Sequence, residues 1–310
     1  MEAVPITIAV FNHGQWEALI DGRVKPAGTN PQVTTPADVY RRMVRGLEYD
    51  VAEIASTTFL AAKSFNIPIS AIPVFSNRDL TMSPIVYNIK SGIKEPKDLE
   101  GKRVGLRAYT VTNNTQARAL LKSEFGVDTD KVTWVVTEDA HVAQYQNPPN
   151  VVFAPEGKTL EDMLLAGEID AGMQLRSQPG GDIRLLLTEE EANEVGLQFY
   201  RRTGVYPIGH IMTIKDATAQ AYPWLAEAMF RAFTESKALY LDGLATRTEL
   251  GPRDRQSLRN REIVGGDPLP FGLQQNRKAL EAMIQIDYDQ KIIPQLLDVD
   301  SLFAPNTLAL

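Results

Sequence analysis

The chain has 310 residues, 44% hydrophobic and 23% charged, with a formal net charge of -7: the composition of a soluble globular protein, long enough for two ordinary domains or one large one. The acidic balance argues against a general nucleic-acid or anionic-membrane surface, either of which calls for a basic face. Cysteine is absent, which removes disulfides, thiolate metal sites and cysteine nucleophiles, and the three histidines, His13, His141 and His210, are too few for a multi-histidine metal site.

The chain opens on Ile6-Thr7-Ile8-Ala9-Val10, a strand pattern, with no basic or apolar leader ahead of it. As written it reads as cytoplasmic, and as periplasmic if an export signal has been removed. No apolar run approaches membrane-spanning length. His13-Gly14-Gln15-Trp16 predicts a turn, and Thr35-Pro36-Ala37-Asp38 caps a helix with Val39, Met43, Val44 and Leu47 on one face. Tyr49 to Ala55 is β-compatible, and Ser56-Thr57-Thr58 can cap a helix from Phe59 to Phe65. Ile69 to Phe75 reads as a buried strand followed by a loop, Ser76-Asn77-Arg78-Asp79, and Ile85 to Ile89 as another strand.

Ser91 to Leu106 supplies a short helix and a strand, and Arg107 to Asn114 leads into a helix from Thr115 to Phe125 that Gly126 stops. The strand Val132 to Val136, the loop Gln144 to Asn150, the helix Leu160 to Ala166 and the strand Glu168 to Met173 follow, and the last third is mainly helical. Strands alternating with helices in both halves imply parallel sheets in an α/β protein.

Five places along the chain carry candidate chemistry. Arg107-Ala108-Tyr109-Thr110-Val111-Thr112-Asn113 lies between a strand and a helix, where free amides and the helix dipole suit an anion; ordinary N-capping by Thr112 or Asn113 is the alternative. Arg78 and Arg176 follow strands, at the ends where open α/β sheets bind ligands, and a guanidinium fork matches a carboxylate. Glu53 sits inside an apolar strand, so it is either a buried, paired carboxylate or a strand-end group facing a ligand. Arg201 to His210 packs cationic, aromatic and imidazole groups around a Gly-Pro turn before Ile211 to Ile214. It reads either as a surface turn or as a strand entering a ligand site, and His210 either as a structural histidine or as a catalyst.

Several segments, in order along nearly the whole chain, resemble the 4,5-dihydroxyphthalate decarboxylase family. They are Arg42 to Arg45 with Tyr49 to Glu53, Ala71 to Phe75, Asp98 to Gly105, Gly167 to Ala171, Arg202 to His210, and Leu302-Phe303-Ala304-Pro305. The chain departs from the family's pattern at His13-Gly14-Gln15, Thr81-Met82-Ser83 and Arg107 to Thr110. The resemblance implies an α/β, two-lobed type II periplasmic-binding-protein-like fold with the ligand between the lobes. Lobe 1 is then expected over 1–89 plus 211–310, closed by the C-terminal helices, and lobe 2 over 90–210.

The resemblance further implies a cofactor-independent decarboxylase, with no metal, acting on a small hydroxyaromatic or related carboxylic acid. His210 or His13 would supply the proton, with Glu53 as base or positioning group. Arg78, Arg107 and Arg176 would hold the acid group, with Tyr109, Thr112, Asn113, Tyr206, Trp16 and Ser56 completing the substrate contacts. The rival reading is a solute-binding protein that delivers a carboxylate or aromatic ligand to an ABC permease, since the fold serves both purposes. Self-association into a homo-oligomer is left open.

Overall fold

A computed structural model describes residues 2–175 and 179–310. Its strands, in chain order, are β1 (Val4–Ala9), β2 (Thr29–Thr34), β3 (Val51–Ala55), β4 (Ile69–Asn77), β5 (Ile85–Asn88), β6 (Arg103–Leu106), β7 (Thr133–Val136), β8 (Val151–Phe153), β9 (Ala171–Met173), β10 (Ile183–Leu185) and β11 (His210–Lys215). They form two sheets, ordered β2-β1-β3-β11-β4 and β10-β5-β9-β6-β7-β8. The chain correspondingly divides into two compact units: Met1–Asp79 with Tyr206–Ile284 and Gln295–Leu310, and Leu80–Val205 with Gln285–Pro294.

These limits differ from the expected lobes of 1–89 plus 211–310 and 90–210. Strand β5 pairs antiparallel with β9 and β10, so its backbone hydrogen bonds place it in the second sheet. Gln285–Pro294, expected in the first lobe, also belongs to the second unit. The sheets are mixed, not parallel throughout. In the first, β1 pairs parallel with β2 and β3, but β11 runs antiparallel between β3 and β4. Strand β11 enters on the chain's return from the other unit, without a crossover helix of its own unit to reverse its direction.

In the first unit Ile8, Val51, Ile72, Val74, Met212 and Ile214 from the strands pack with Trp16, Leu225, Met229 and Phe233. The second unit's core joins Val86, Val135 and Ile183 to Leu160, Met163, Leu164 and Ile169. Val39, Met43 and Val44 bury one face of the helix Val39–Gly46, which closes at Leu47 with a left-handed φ of 49°. Leu47 therefore ends the helix instead of continuing its apolar face.

Other differences have local causes. The helix expected from Thr115 begins at Thr112, and the one expected from Phe59 begins at Ser56. Glu189–Thr203, with a capping box at Thr188 and Glu191, is a 15-residue helix that accounts for Arg201 and Arg202 as its last turn. Gly204 stops it in the left-handed conformation. The charged stretch before the last helices contains a further helix, Pro252–Val264. Among the described residues no helix is long and apolar enough to cross a membrane.

Candidate functional site

Cross-strand register in the first unit builds the site. Glu53 on β3 stands opposite Met212 on β11, and His210 stands opposite Ala55. Side chains two residues apart on a strand share a face, so His210 is the diagonal neighbour of Glu53, within reach of its carboxylate. The pairing of β11 with β4 breaks between His210 and Met212, which re-aims the strand end. Gly209 permits this bend: a Cβ there would stand 2.8 Å from Asn77 Nδ2, and its amide donates to Asn77 O at 2.7 Å.

Glu53 is fully buried and accepts from four donors. His210 Nδ1 (2.9 Å) and the Ser76 hydroxyl (2.6 Å) reach Oε1, and the Phe11 amide (3.1 Å) and Trp16 Nε1 (2.9 Å) reach Oε2. Burial pushes its carboxyl pKa up, but the hydrogen bond and charge of His210, with His13 and Ser76, outweigh that and hold it down at about 2. The result is a permanent anion bonded to one edge of the His210 ring. The other edge, Nε2, lies 2.8 Å from the Tyr40 hydroxyl. Tyr40 is the second residue of the helix Val39–Gly46, and that helix's buried Val39 and Met43 dock it.

His13 lies beside this pair, its ring stacked 6.2 Å from that of His210 and its Nδ1 3.7 Å from Glu53 Oε1. Burial lowers its pKa to about 4, Glu53 opposing the shift and the charges of Arg253 and His210 adding to it. His13 is therefore held as a neutral imidazole near pH 7. Gly14, next to it, packs so close to Tyr240 that a Cβ would stand 2.3 Å from Cε2. The Tyr240 hydroxyl donates to Asp254 Oδ1 at 2.7 Å, which fixes the start of the helix Pro252–Val264, and with it the exposed Arg253, on the His13 turn.

Several residues expected to bind substrate are instead occupied structurally. The buried Arg78 donates to the carbonyls of Tyr206 (2.7 Å), Pro207 (3.5 Å) and Pro270 (3.4 Å) and to Asn276 Oδ1, and lies over the rings of Phe75 and Tyr206. Burial lowers its pKa to about 10, so it stays a cation that ties backbone together. The Tyr206 hydroxyl donates to Pro268 O and accepts from Asn260 Nδ2. Ser56 donates to Ile208 O (2.7 Å), pinning the backbone just before His210, and Trp16 is a core residue with its indole N–H on Glu53.

Arg107, Tyr109, Thr112 and Asn113 lie in the second unit. Arg107 is exposed, 3.4 Å from Glu138. Tyr109 is buried, its ring 3.9 Å beneath the Arg118 guanidinium. Thr112 and Asn113 are the first two residues of the helix Thr112–Phe125, whose N-cap position is taken by Val111. Arg176 falls outside the described residues.

The structure thus brings His13, Glu53 and His210 together and adds Tyr40, Ser76 and Phe11, which sequence reasoning did not single out. Ser76 was expected in a loop, but β4 continues through Asn77 and turns its hydroxyl onto Glu53. The signal for Tyr40 was faint: an aromatic residue in the first turn of a helix, beside its buried stripe. Among the described residues no group of three or more His, Cys, Asp or Glu side chains is placed to hold a metal ion.

Residues 32–154 match the family described as NMT1/THI5 like. A 4,5-dihydroxyphthalate decarboxylase of Comamonas testosteroni is 29% identical, over 99% of this chain and 98% of that protein. Another 4,5-dihydroxyphthalate decarboxylase, from Pseudomonas putida, is 30% identical over 55% of this chain and 70% of its own length. Among solved structures, the periplasmic aliphatic sulphonate binding protein SsuA of Escherichia coli superposes with a TM-score of 0.57 at 13% identity, covering 99% of both chains. Its likeness gives the type II periplasmic-binding-protein-like fold.

Proposed function

Because this chain belongs to the 4,5-dihydroxyphthalate decarboxylase family, we propose that it removes a carboxyl group, without a cofactor, from a small hydroxyaromatic or related activated acid. The observation that carries this reading is Glu53: a fully buried carboxylate with all four of its contacts from donors, one of them the half-buried His210. A fixed anion behind a histidine favours the imidazolium, which can hold an anionic ligand or give up a proton, and for a proton donor it also holds the ring in one orientation.

In the proposed reaction the ring carbon bearing the carboxylate takes a proton as the ring, pushed by its hydroxyl oxygen, supplies the electron pair. The C–C bond then breaks, its pair returns to the ring and restores aromaticity, and CO2 leaves. The protein loses one proton per turnover and regains it from water. The exposed Arg253 is the cation on the His13 side of this site and suits the acid group of the substrate better than the occupied Arg78.

A second reading is a solute-binding protein for a small carboxylate or aromatic ligand, in the periplasm and served by an ABC permease. The fold likeness to the sulphonate binding protein over the whole chain favours it. One experiment separates the two: incubation of the purified protein with carboxyl-13C 4,5-dihydroxyphthalate, followed by mass spectrometry of gas and bound fraction. Release of 13CO2 that falls roughly 10²–10⁴-fold in His210→Ala supports the decarboxylase. Acid retained unchanged, with no 13CO2, refutes it in favour of the binder.

A further inference from the structure

Tyr40 and His210 are 170 residues apart in sequence, yet the tyrosine hydroxyl lies 2.8 Å from Nε2 while Nδ1 is committed to Glu53 at 2.9 Å. Glu53 in turn is saturated by Ser76, Trp16 and the Phe11 amide. Every proton position in this line is therefore constrained by its neighbour. Glu53 is acceptor only, so Nδ1 carries a hydrogen whether His210 is neutral or charged. When the ring is neutral, Nε2 accepts from the Tyr40 hydroxyl. When it is charged, Nε2–H donates to the Tyr40 oxygen, and the phenolic hydrogen turns away from the ring.

From this we propose that Tyr40, and not His210, is the group that hands the proton to the substrate, with His210 recharging it. The inference rests on the decarboxylase reading. In the charged state two transfers run in line: the phenolic hydrogen passes to the substrate carbon as that carbon's new bond forms, and Nε2–H passes to the tyrosine oxygen. Tyrosine ends as it began, a neutral phenol now donating to Nε2, and the imidazolium ends as neutral imidazole. One proton has moved to the carbon, and water returns one to His210 before the next turnover. No free tyrosinate forms, so the high intrinsic pKa of a phenol is no obstacle.

The surroundings fit this division of labour. Phe11 lies 5.4 Å from the rings of both Tyr40 and His210, so an aromatic wall flanks the hydrogen bond between them. Besides Tyr40, the charged and titratable groups placed against His210 among the described residues are Glu53, held as an anion, and His13, held neutral; neither can replace Tyr40 at Nε2, because Glu53 occupies Nδ1 and the His13 ring is stacked alongside.

The test is a kinetic cycle with Tyr40→Phe, His210→Ala and the double variant, each checked for unchanged thermal unfolding, using 4,5-dihydroxyphthalate as probe. A relay predicts that Tyr40→Phe lowers kcat by about 100-fold or more with KM within about threefold, and that the double variant is no slower than the slower single one. Retention of kcat within threefold by Tyr40→Phe, or multiplicative losses in the double variant, overturns the proposal. If the wild-type protein releases no CO2, the functional reading fails, and with it the donor role. A ligand-free 15N-histidine titration still decides the coupling: Tyr40→Phe must move the His210 Nε2 resonance and leave His13 in place, and an unmoved resonance refutes the link.

Discussion

Glu53 in the first unit and Arg118 in the second are both fully buried charges, but their surroundings differ in kind. Glu53 has every contact satisfied by a donor, and one donor is a half-buried imidazole that itself meets a hydroxyl. Arg118 donates from Nε to Gln290 Oε1 (2.7 Å) and from Nη2 to Tyr109 O (2.7 Å), and it lies over the rings of Tyr109 and Trp134. Its Nη1 finds no partner among the described residues, nor do the side-chain atoms of Asn114 one turn earlier or the hydroxyl of Tyr145. Burial lowers the Arg118 pKa, with Tyr109, Tyr145 and Asp287 acting against that shift. Gln290 completes the unit by donating to Thr115 O, so Arg118 ties Gln285–Pro294 to the helix Thr112–Phe125. A buried charge that hands its field to a titratable neighbour can do chemistry, whereas one shared among amides and ring faces fastens segments.

The sharpest way to break this comparison is Arg118→Met. It leaves two buried acceptors, Gln290 Oε1 and Tyr109 O, without their donor and empties the space over the Tyr109 and Trp134 rings, and is expected to cost about 3–5 kcal/mol in urea unfolding, with the His210 titration unmoved. A shift in that titration would show that Arg118 is more than a fastener. Glu53→Gln comes next. It turns part of an acceptor into a donor facing four donors, and is expected to cost about 2–3 kcal/mol and roughly 100-fold or more of any CO2 release, measured on the same preparation. Loss of stability without loss of turnover would reduce Glu53 to the role of Arg118.

The smallest effect concerns pH. The pKa of His13 in the folded protein, about 4, lies below its ordinary 6.5, so its stabilising contribution is complete above pH 6.5 and is lost as pH falls toward 4. Glu53, lowered to about 2 from 4.5, loses its contribution only below pH 4.5, so the interval between 6.5 and 4.5 separates His13 from Glu53. Unfolding free energy should drop by about 2 kcal/mol between pH 7 and pH 5, and His13→Phe should flatten that slope. An unchanged slope would mean that His13 is not the buried neutral group of this site.

The legible part of the site was its chemistry-bearing residue types on regular elements: a carboxylate within an apolar strand, and a histidine at the start of another. Alternation and Gly-Pro punctuation mark those positions locally. Arg78 misled for a physical reason, since a guanidinium after a strand looks the same in sequence whether it meets a ligand or the carbonyls of Tyr206, Pro207 and Pro270. Arg107, Thr112 and Asn113 likewise look anion-binding on local grounds alone.

By itself, then, the sequence determined the element types, the α/β class, the family, and Glu53 and His210 as groups worth weighing, because periodicity, caps and motifs act over a few residues. Only the tertiary structure decided the register of β3 on β11, the break opposite β4 that turns His210 onto Glu53, and the meeting of Tyr40 with Nε2. Those depend on pairings between segments more than about 130 residues apart, whose closure is driven by burial of the whole core and leaves no local mark on any one of them.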